Sequence, residues 1–452
     1  MLTRDRFIPG RLRRLFEKNS LAGGIGMLAG GTAAGQAIAL VSIPILSRLY
    51  SPEDFGVLAV YASLLAGLVV VITLRYETAI PVAEDSRGAA HLLVLSLATS
   101  AAVAGIAALG VGLLGSSISR WANTPQIRSY LWLIPVSGFA AGLYQSFNFW
   151  AIRRKEYGRI ALTKVTQNVW MVGTQIAVGI MWKGPVGLLV GDSFKWAGGS
   201  GRLAAATWRE EAALLKGVRW EGMMEQARRY RKFPLLSAPS SLANTLGQQF
   251  PALIIAGFYG PYVAGSFYLV QKILAVPVTF LGRSISDAYI GEFSQLLRHD
   301  RAGAARLYYK MARTLLLVGV LPTIALVLGG GVVTRWVLGA EWSDAGTYLQ
   351  IVALMFLAKF VVNPLSHTLV LMQRQGVQLV WDVGRMLVVN GAILVVALGG
   401  LAPVAAIWAY SLSMFVAYVL LYVLCVRSLA EHAAPALSGL SGELPAGINA
   451  DP

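Results

Sequence analysis

Residues 21–46 read LAGGIGMLAGGTAAGQAIALVSIPIL and contain no charged side chain. Because about 20 apolar residues are enough for a helix to cross the hydrocarbon core of a bilayer, this stretch predicts a membrane-spanning helix. A cleaved signal peptide is the alternative, since GTAAGQA could serve as a small-residue cleavage site. The apolar run exceeds the roughly 7 to 15 residues of a signal core, however, and this length favours a retained helix.

The composition of the 452-residue chain extends this prediction to the whole molecule. Hydrophobic residues make up 56% of the chain and charged residues 13%, and the charged fraction is about half that of an ordinary soluble domain. The 48 glycines follow no collagen period and are typical of membrane helices that pack closely. This composition excludes a soluble globule, a disordered chain and a fibrous protein.

Eleven further apolar runs follow the first, and together they predict an all-α polytopic membrane protein with about twelve transmembrane helices. The further runs are residues 55–74, 89–114, 130–152, 160–182, 185–208, 233–259, 263–290, 307–332, 345–371, 377–398 and 402–426. The run at 185–208 is the least secure, because Asp192, Lys195 and Arg202 interrupt it. Its loss would invert the direction of every later span.

The distribution of basic residues predicts the direction of the spans. The net charge is +16, from 38 Lys+Arg and 22 Asp+Glu. With twelve spans, 27 of these basic residues fall on the same side as the N-terminus and five on the opposite side. Because Lys and Arg are retained on the cytoplasmic side, this bias predicts that both termini are cytoplasmic. The same topology accounts for the basic chain without a nucleic-acid partner.

The predicted spans divide the chain into two bundles of six helices. We predict a basic cytoplasmic tail at residues 1–20, an N-terminal bundle at 21–208 and a C-terminal bundle at 233–427. The linker at 209–232 mixes apolar and charged residues as an interfacial amphipathic helix does. Residues 428–452 are rich in Ala, Gly, Pro and Ser and predict a disordered cytoplasmic tail.

A short motif occurs at corresponding places in the two halves. It reads YSPEDFG at residues 50–56, after the first span, and YGPYVAG at residues 259–265, after the seventh. Ordinary turn chemistry could produce this twice, since proline and glycine suit tight turns. An internal repeat is the other explanation. An even number of spans in each half makes such repeats parallel, and a cavity is then expected between the two bundles.

A second correspondence places an arginine and an acid at the end of a span in each half. Arg75 and Glu77 follow the second span, and Arg283 and Asp287 end the eighth. At the cytoplasmic mouth of a cavity, the two arginines are candidates for binding an anionic headgroup, and the two acids are candidates for a gate. Anchoring of a helix end at lipid headgroups is the alternative.

Seven more charged residues lie within or near the ends of predicted spans: Lys164, Asp192, Lys195, Lys272, Lys359, Asp382 and Arg385. A charge at the bilayer centre costs about 2.5 to 3.5 kcal/mol, so these residues should face protein, water or each other. The i, i+3 spacing allows Asp192 to pair with Lys195 and Asp382 to pair with Arg385. The other three lysines have no such local acid and are candidates for binding an anionic ligand, with snorkelling to the interface as the alternative.

Three stretches carry a resemblance to a known family: PILSRLYSPEDFG at residues 44–56, RYETAI at 75–80 and NFWAIRRK at 148–155. They resemble the oligosaccharide flippases of the polysaccharide-biosynthesis family. The wider superfamily also contains lipid II flippases and multidrug and toxin extrusion transporters. The resemblance implies alternating-access transport of undecaprenyl-pyrophosphate-linked oligosaccharide across the bacterial inner membrane, for lipopolysaccharide or exopolysaccharide synthesis. It also implies a polysaccharide polymerase and a chain-length regulator as protein partners.

The sequence offers little for other functions. It contains no G-x-x-x-x-G-K-[ST] loop, no H-E-x-x-H motif and only one cysteine, Cys425. We therefore predict no ATP hydrolysis, no metal site, no cofactor and no enzyme activity, and the coupling ion could be a proton or sodium. A cation-coupled multidrug exporter is the nearer alternative, although it would favour unpaired acids in the bundle core. A membrane O-antigen polymerase or ligase is the enzyme alternative, and it would favour a large outer loop.

Overall fold

The computed structural model describes residues 21–438, apart from the side chains of residues 21–25, 276–284, 287 and 432–438. The helices in this range are α1 (Leu21–Leu49), α2 (Pro52–Val71), α3 (Ser86–Trp121), α4 (Leu133–Arg153), α5 (Tyr157–Met181), α6 (Val186–Lys216), α7 (Trp220–Arg229), α8 (Ala238–His299), α9 (Arg301–Val337), α10 (Ser343–Val362), α11 (His367–Leu371), α12 (Gln375–Leu398) and α13 (Pro403–Ser438).

These helices provide twelve long helical segments within the described range. Helix α8 contributes two of them, residues 238–259 and 261–299, because Gly260 has a φ of 81° and interrupts the helix. Helices α10 and α11 contribute one segment together, since only the 3-10 turn Asn363–Leu365 and one further residue separate them. Every segment coincides with a predicted apolar run. The predicted all-α membrane fold is confirmed.

Length and hydropathy alone identify eight stretches of the described chain that could cross a membrane. One of the eight, residues 233–275, contains parts of two segments. Helices α4, α5 and α6 are not among the eight, because polar side chains interrupt their apolar surfaces. These three helices pack against one another and against α1 and α3, so their polar groups have protein neighbours.

The hairpin between α1 and α2 is fixed by a capping box. The Ser51 hydroxyl accepts from the Asp54 backbone N–H at 3.3 Å, and the Asp54 carboxylate accepts from the Ser51 N–H at 3.1 Å. Pro52 occupies the first helical position, where its missing N–H costs no hydrogen bond. The chain therefore reverses direction within a few residues, and α2 begins at a defined place.

The described chain forms two compact units. The first contains residues 21–276, 332–348 and 397–403, and the second contains 277–331, 349–396 and 404–438. In the second unit, Ser411 donates to the Ile351 carbonyl at 2.8 Å, which joins α13 to α10. The predicted division into two six-helix domains at residues 209–232 stays a prediction.

The predicted linker and tail differ from the structure in their boundaries. Helix α6 continues to Lys216, with a non-helical residue at Glu211, and α7 follows it. Helix α13 continues past the predicted boundary at 427 to Ser438, and Leu429 in this continuation is buried. Residues 1–20 and 439–452 lie outside the described residues, and with them the N-terminal tail and the end of the C-terminal tail.

Candidate functional site

The hairpin between α1 and α2 crosses the hairpin around Gly260 at a pair of glycines. A Cβ atom at Gly56 would overlap the carbonyl oxygen of Pro261, and a Cβ atom at Gly265 would overlap that of Pro52. Two backbones approach this closely only where no side chain lies between them. These residues belong to the first compact unit. The two copies of the repeated motif are therefore in direct backbone contact.

Trp342 reinforces this crossing from the connector before α10. Its ring is fully buried and meets Phe55 edge to face, with ring centroids 5.1 Å apart. Its indole N–H donates to the Ser47 carbonyl at 2.9 Å. Nearby, the Arg48 guanidinium donates to the Trp336 carbonyl at 2.9 Å. The crossing and the Trp342 contacts together form what we call the hairpin clamp.

The connector between α2 and α3 holds the first predicted arginine and acid pair. Arg75 has a φ of 64°, and its Nη1 lies 3.7 Å from the Glu77 carboxylate. Glu77 is almost completely buried and accepts a hydrogen bond from the Thr73 hydroxyl. The Nε of Arg75 is buried and has no hydrogen-bond partner among the described residues. Arg75 thus has one buried donor without a partner among the described residues, and its predicted role in binding an anionic headgroup stays a prediction.

Burial raises the pKa of the Glu77 carboxyl, although the Thr73 hydrogen bond and the charge of Arg75 act in the opposite direction. A carboxyl with a raised pKa stabilises the folded state at low pH, and this stabilisation is lost as the pH rises through the folded pKa. Glu77→Gln, which cannot ionise, is therefore expected to match the native protein in thermal stability at pH 4 and to exceed it increasingly toward pH 8. Thermal unfolding in detergent between these values measures the difference.

The exposed Glu292 provides the control for this comparison. Glu292→Gln is expected to change the unfolding temperature equally at both ends of the pH range. If the stability gain of Glu77→Gln shrinks with rising pH, the prediction is wrong, because the folded state then favours the ionised carboxylate of Glu77 over the neutral acid.

Two polar residues of α6, Asp192 and Ser193, lie near side chains of two other helices in the first unit. The Tyr61 hydroxyl of α2 lies 2.9 Å from the Ser193 hydroxyl. Asp192 is close enough to Tyr61, Tyr268 and Lys272 to interact with them electrostatically. Lys272, which has no acid nearby in sequence, thus obtains one from another helix.

The predicted pair of Asp192 and Lys195 forms no ion pair among the described residues. Instead, the Lys195 ammonium lies 5.2 Å from the centre of the Trp196 ring. The Lys164 ammonium lies in a similar way 5.0 Å from the Tyr144 ring centre. At these distances an ammonium is attracted to the face of the ring, so each lysine has an aromatic neighbour within the first unit.

The second unit contains a separate charged cluster. Arg385 forms an ion pair with Asp382 at 3.4 Å and lies over the Trp381 ring, 4.9 Å from its centre. Lys359 interacts electrostatically with Arg385, and the Nε of Arg385 is buried without a partner in the described chain. The cluster therefore has two basic side chains and one acidic side chain. The side chains of Arg283 and Asp287 lie outside the described residues, so their predicted roles stay predictions.

Two features of the site have only weak signals in the sequence. Trp342 is one of 12 tryptophans, and a tryptophan in a connector is ordinarily assigned to the membrane interface. Arg153 donates from Nη1 to the carbonyls of Ile80 at 3.0 Å and Ala83 at 2.7 Å. It lies in the stretch 148–155, which carries the family resemblance, but its partners are about 70 residues away and no local pattern indicates them.

Comparison with known protein families shows to which family the chain belongs. Residues 45–347 match the sequence profile of a family described as polysaccharide biosynthesis protein, which is more than half of the chain. The chain belongs to this family. The family resemblance of residues 44–56, 75–80 and 148–155 is thereby confirmed. Teichuronic acid biosynthesis protein TuaB of Bacillus subtilis (strain 168) is 24% identical over 181 residues, and this match spans 40% of the chain and 37% of the relative.

Solved structures with a similar fold are membrane transporters. The lipid II flippase MurJ in an inward closed conformation has a TM-score of 0.69 at 9% identity, and the match covers 93% of each chain. An inward-facing multidrug resistance MATE family transporter of the MOP superfamily has a TM-score of 0.63 at 14% identity, over 94% of this chain and 98% of the other. At these identities the likeness shows the fold, which is that of a multi-pass membrane protein.

Proposed function

We propose that the protein is a flippase that moves undecaprenyl-pyrophosphate-linked oligosaccharide from the cytoplasmic to the outer leaflet of a bacterial inner membrane. The observation that carries this proposal is the family match over residues 45–347. The fold shared with a lipid II flippase supports it, because lipid II is itself a lipid-linked saccharide. Product synthesis would then require other proteins, such as a polysaccharide polymerase and a chain-length regulator.

The charged residues of the membrane segments support an anionic substrate. The first unit places Lys195 and Lys272 near the single acid Asp192, and the second places Lys359 and Arg385 near Asp382. In each cluster the basic side chains outnumber the acidic one. A low-dielectric environment with excess positive charge favours a pyrophosphate over a cationic drug. The lipid tail would stay in the bilayer while the polar headgroup crosses in water.

Transport by alternating access would require the hairpin clamp to open on the predicted outer side. The clamp joins the copies of the repeated motif at Gly56 and Gly265, so its separation would release the headgroup on that side. Because the chain contains no nucleotide-binding loop, the energy would come from an ion gradient or from consumption of the product. Proton or sodium coupling stays a prediction.

The proposed topology predicts opposite accessibility for Ser116 and Ser294. A cysteine at residue 116, near the end of α3, is expected to react with an impermeant thiol reagent added to intact cells. A cysteine at residue 294, near the end of α8, is expected to react only after the membrane is opened. The variants are made in a Cys425→Ser background, because Cys425 is the only native cysteine. Labelling of both residues from the same side would contradict twelve spans with cytoplasmic termini.

The function is tested by deleting the gene in its native host. Loss of surface glycan together with accumulation of the lipid-linked oligosaccharide in the inner leaflet is the expected result. Re-expression of the chain should restore the glycan and clear the intermediate. Unchanged glycan with increased sensitivity to toxic cations would instead indicate a multidrug exporter, and a normal intermediate distribution with unpolymerised glycan would indicate a polymerase.

A further inference from the structure

A polar cavity of about 430 Å³ lies in the first unit where α3 begins and α4 ends. Its lining includes Ser86, the first residue of α3, and Arg153, the last residue of α4. Trp150, Arg154 and Glu211 also line it. Helix ends lie near the membrane surface, so the cavity is at the level of lipid headgroups on the predicted cytoplasmic side.

The two arginines of this cavity differ in their roles. Arg153 uses Nη1 for backbone carbonyls of the α2–α3 connector, which leaves its other donors for the cavity. Arg154 is half-exposed and pairs with Glu211 at 3.3 Å. Glu211 is the non-helical residue of α6, with φ −126° and ψ 18°. The wall therefore carries two positive charges and one negative charge, and the negative charge is on a break in its helix.

A second cavity, of about 470 Å³, is apolar and lies between the same helices, nearer to their middles. Phe147 is one turn before Trp150 on α4, and Leu93 is two turns after Ser86 on α3, which places this cavity about 5 to 10 Å deeper in the bundle. Leu215, one turn after Glu211, also lines it. Leu93 and Trp150 belong to one buried cluster, against which Phe147 and Leu215 pack. The polar and apolar cavities thus border the same cluster.

We propose that the two cavities form a binding site for one anionic glycerophospholipid of the cytoplasmic leaflet. The phosphate binds Arg154 and the free donors of Arg153, and the Ser86 hydroxyl and Trp150 contact the glycerol region. One acyl chain occupies the apolar cavity beside Leu93 and Phe147. Basic pockets between membrane helices are known to bind lipid headgroups, and arginine binds phosphate with two parallel hydrogen bonds. The site does not depend on which substrate the protein transports.

This site predicts a specific lipid preference. The purified chain in neutral detergent is titrated with dioleoylphosphatidylglycerol, dioleoylphosphatidylcholine or inorganic pyrophosphate, and bound lipid is counted by native mass spectrometry. Phosphatidylglycerol is expected to bind at least about tenfold more tightly than phosphatidylcholine, since the charge-assisted phosphate contacts need a net anion. Pyrophosphate is expected to compete weakly, because it lacks the acyl chain.

Three variants separate the parts of the site. Arg154→Gln is expected to weaken phosphatidylglycerol binding about tenfold, and Glu211→Gln to strengthen it by removing the competing carboxylate. Ala204→Phe fills the apolar cavity and should weaken the long-chain lipid while sparing dihexanoylphosphatidylglycerol. The control is Arg228→Gln, which removes an exposed arginine of α7 in the same unit that does not line the cavity.

The proposal fails if phosphatidylcholine binds as tightly as phosphatidylglycerol, or if Arg228→Gln weakens binding as much as Arg154→Gln. Pyrophosphate that binds as tightly as the lipid would reduce the site to an anion pocket and would overturn the assignment of the acyl chain. Unfolding temperatures of all variants are measured in the same detergent. If Arg154→Gln has lost its cooperative transition, Arg154→Lys is used instead, and a smaller loss of phosphatidylglycerol binding than for glutamine is expected.

Discussion

Replacement of Gly265 by valine is expected to reduce glycan export roughly 5- to 150-fold in a strain that lacks its own flippase. A Cβ atom at this position would overlap the Pro52 carbonyl oxygen and lie 2.9 Å from the Pro52 carbonyl carbon. Because both of these Pro52 atoms belong to the backbone, neither can rotate away as a side-chain atom can. The clamped state then becomes less populated, and a cycle that must pass through it slows.

The size of the effect follows from where the strain acts. Overpacking costs about 1 to 3 kcal/mol, and here the cost falls only on the state in which the two hairpins touch. A cost of this size shifts the balance between closed and open clamps by roughly 5- to 150-fold. Gly56→Val, which meets the Pro261 carbonyl from the other side, is expected to have the same effect.

Gly112 provides the matched control for both variants. It lies in helix α3, and a Cβ atom placed there would have no neighbouring atom within 4 Å, so Gly112→Val keeps the same chemical change without the clash. Export is compared at equal membrane levels of each protein. Normal export by Gly265→Val would show that the hairpins need not close during transport.

A crosslink tests the same clamp in the opposite direction. Cysteines at Pro52 and Pro261, in the Cys425→Ser background, can be joined by a short bifunctional thiol reagent. Because the clamp must open to release substrate, the joined protein is expected to export no glycan, and reductive cleavage of the linker should restore export. Continued export by the fully joined protein would exclude separation of these hairpins.

The helices of this protein can be predicted from the sequence because lipid imposes a simple length and polarity rule. Residues 185–208 are the least secure run, yet α6 forms there because α5 and α4 pack on it and give its polar groups neighbours. The sequence predicts α13 too short, since burial of Leu429 depends on tertiary packing that the composition of the tail does not indicate.

The site is less predictable, because spacing along a helix defines a face but not a partner. Asp382 and Arg385 are spaced i, i+3 and do pair. Asp192 and Lys195 have the same spacing, but Lys195 lies over Trp196 instead. Lys272 of α8 interacts electrostatically with Asp192, across a sequence separation of 80 residues that no local pattern spans.

Arg75→Ala is expected to lower glycan export roughly ten- to a hundredfold. Hydrogen bonds to a charged group contribute about 1.5 to 3 kcal/mol, which corresponds to this range if Arg75 binds the pyrophosphate. Its geometry favours such a role, because Nη1 lies 3.7 Å from Glu77, beyond a direct hydrogen bond, and Nε is buried with no partner in the described chain. A structural arginine would ordinarily have these donors satisfied.

Arg75→Lys separates phosphate recognition from simple attraction. A lysine keeps the charge but cannot bind two phosphate oxygens in the planar, parallel geometry of a guanidinium. Export by the lysine variant is therefore expected to lie between that of the native protein and that of Arg75→Ala. Arg87→Ala is the matched control, because Arg87 is exposed at the start of α3 on the same predicted surface.

The export assay distinguishes a substrate contact from an anchor when it is combined with stability. An anchoring arginine would tolerate lysine fully, because an ammonium also binds lipid headgroups. Loss of export in Arg75→Ala with an unchanged unfolding temperature would assign the arginine to transport. Full export by both Arg75→Ala and the corresponding Arg283→Ala would remove these arginines from the site and leave Lys164, Lys272 and Lys359 as the predicted residues that bind the headgroup.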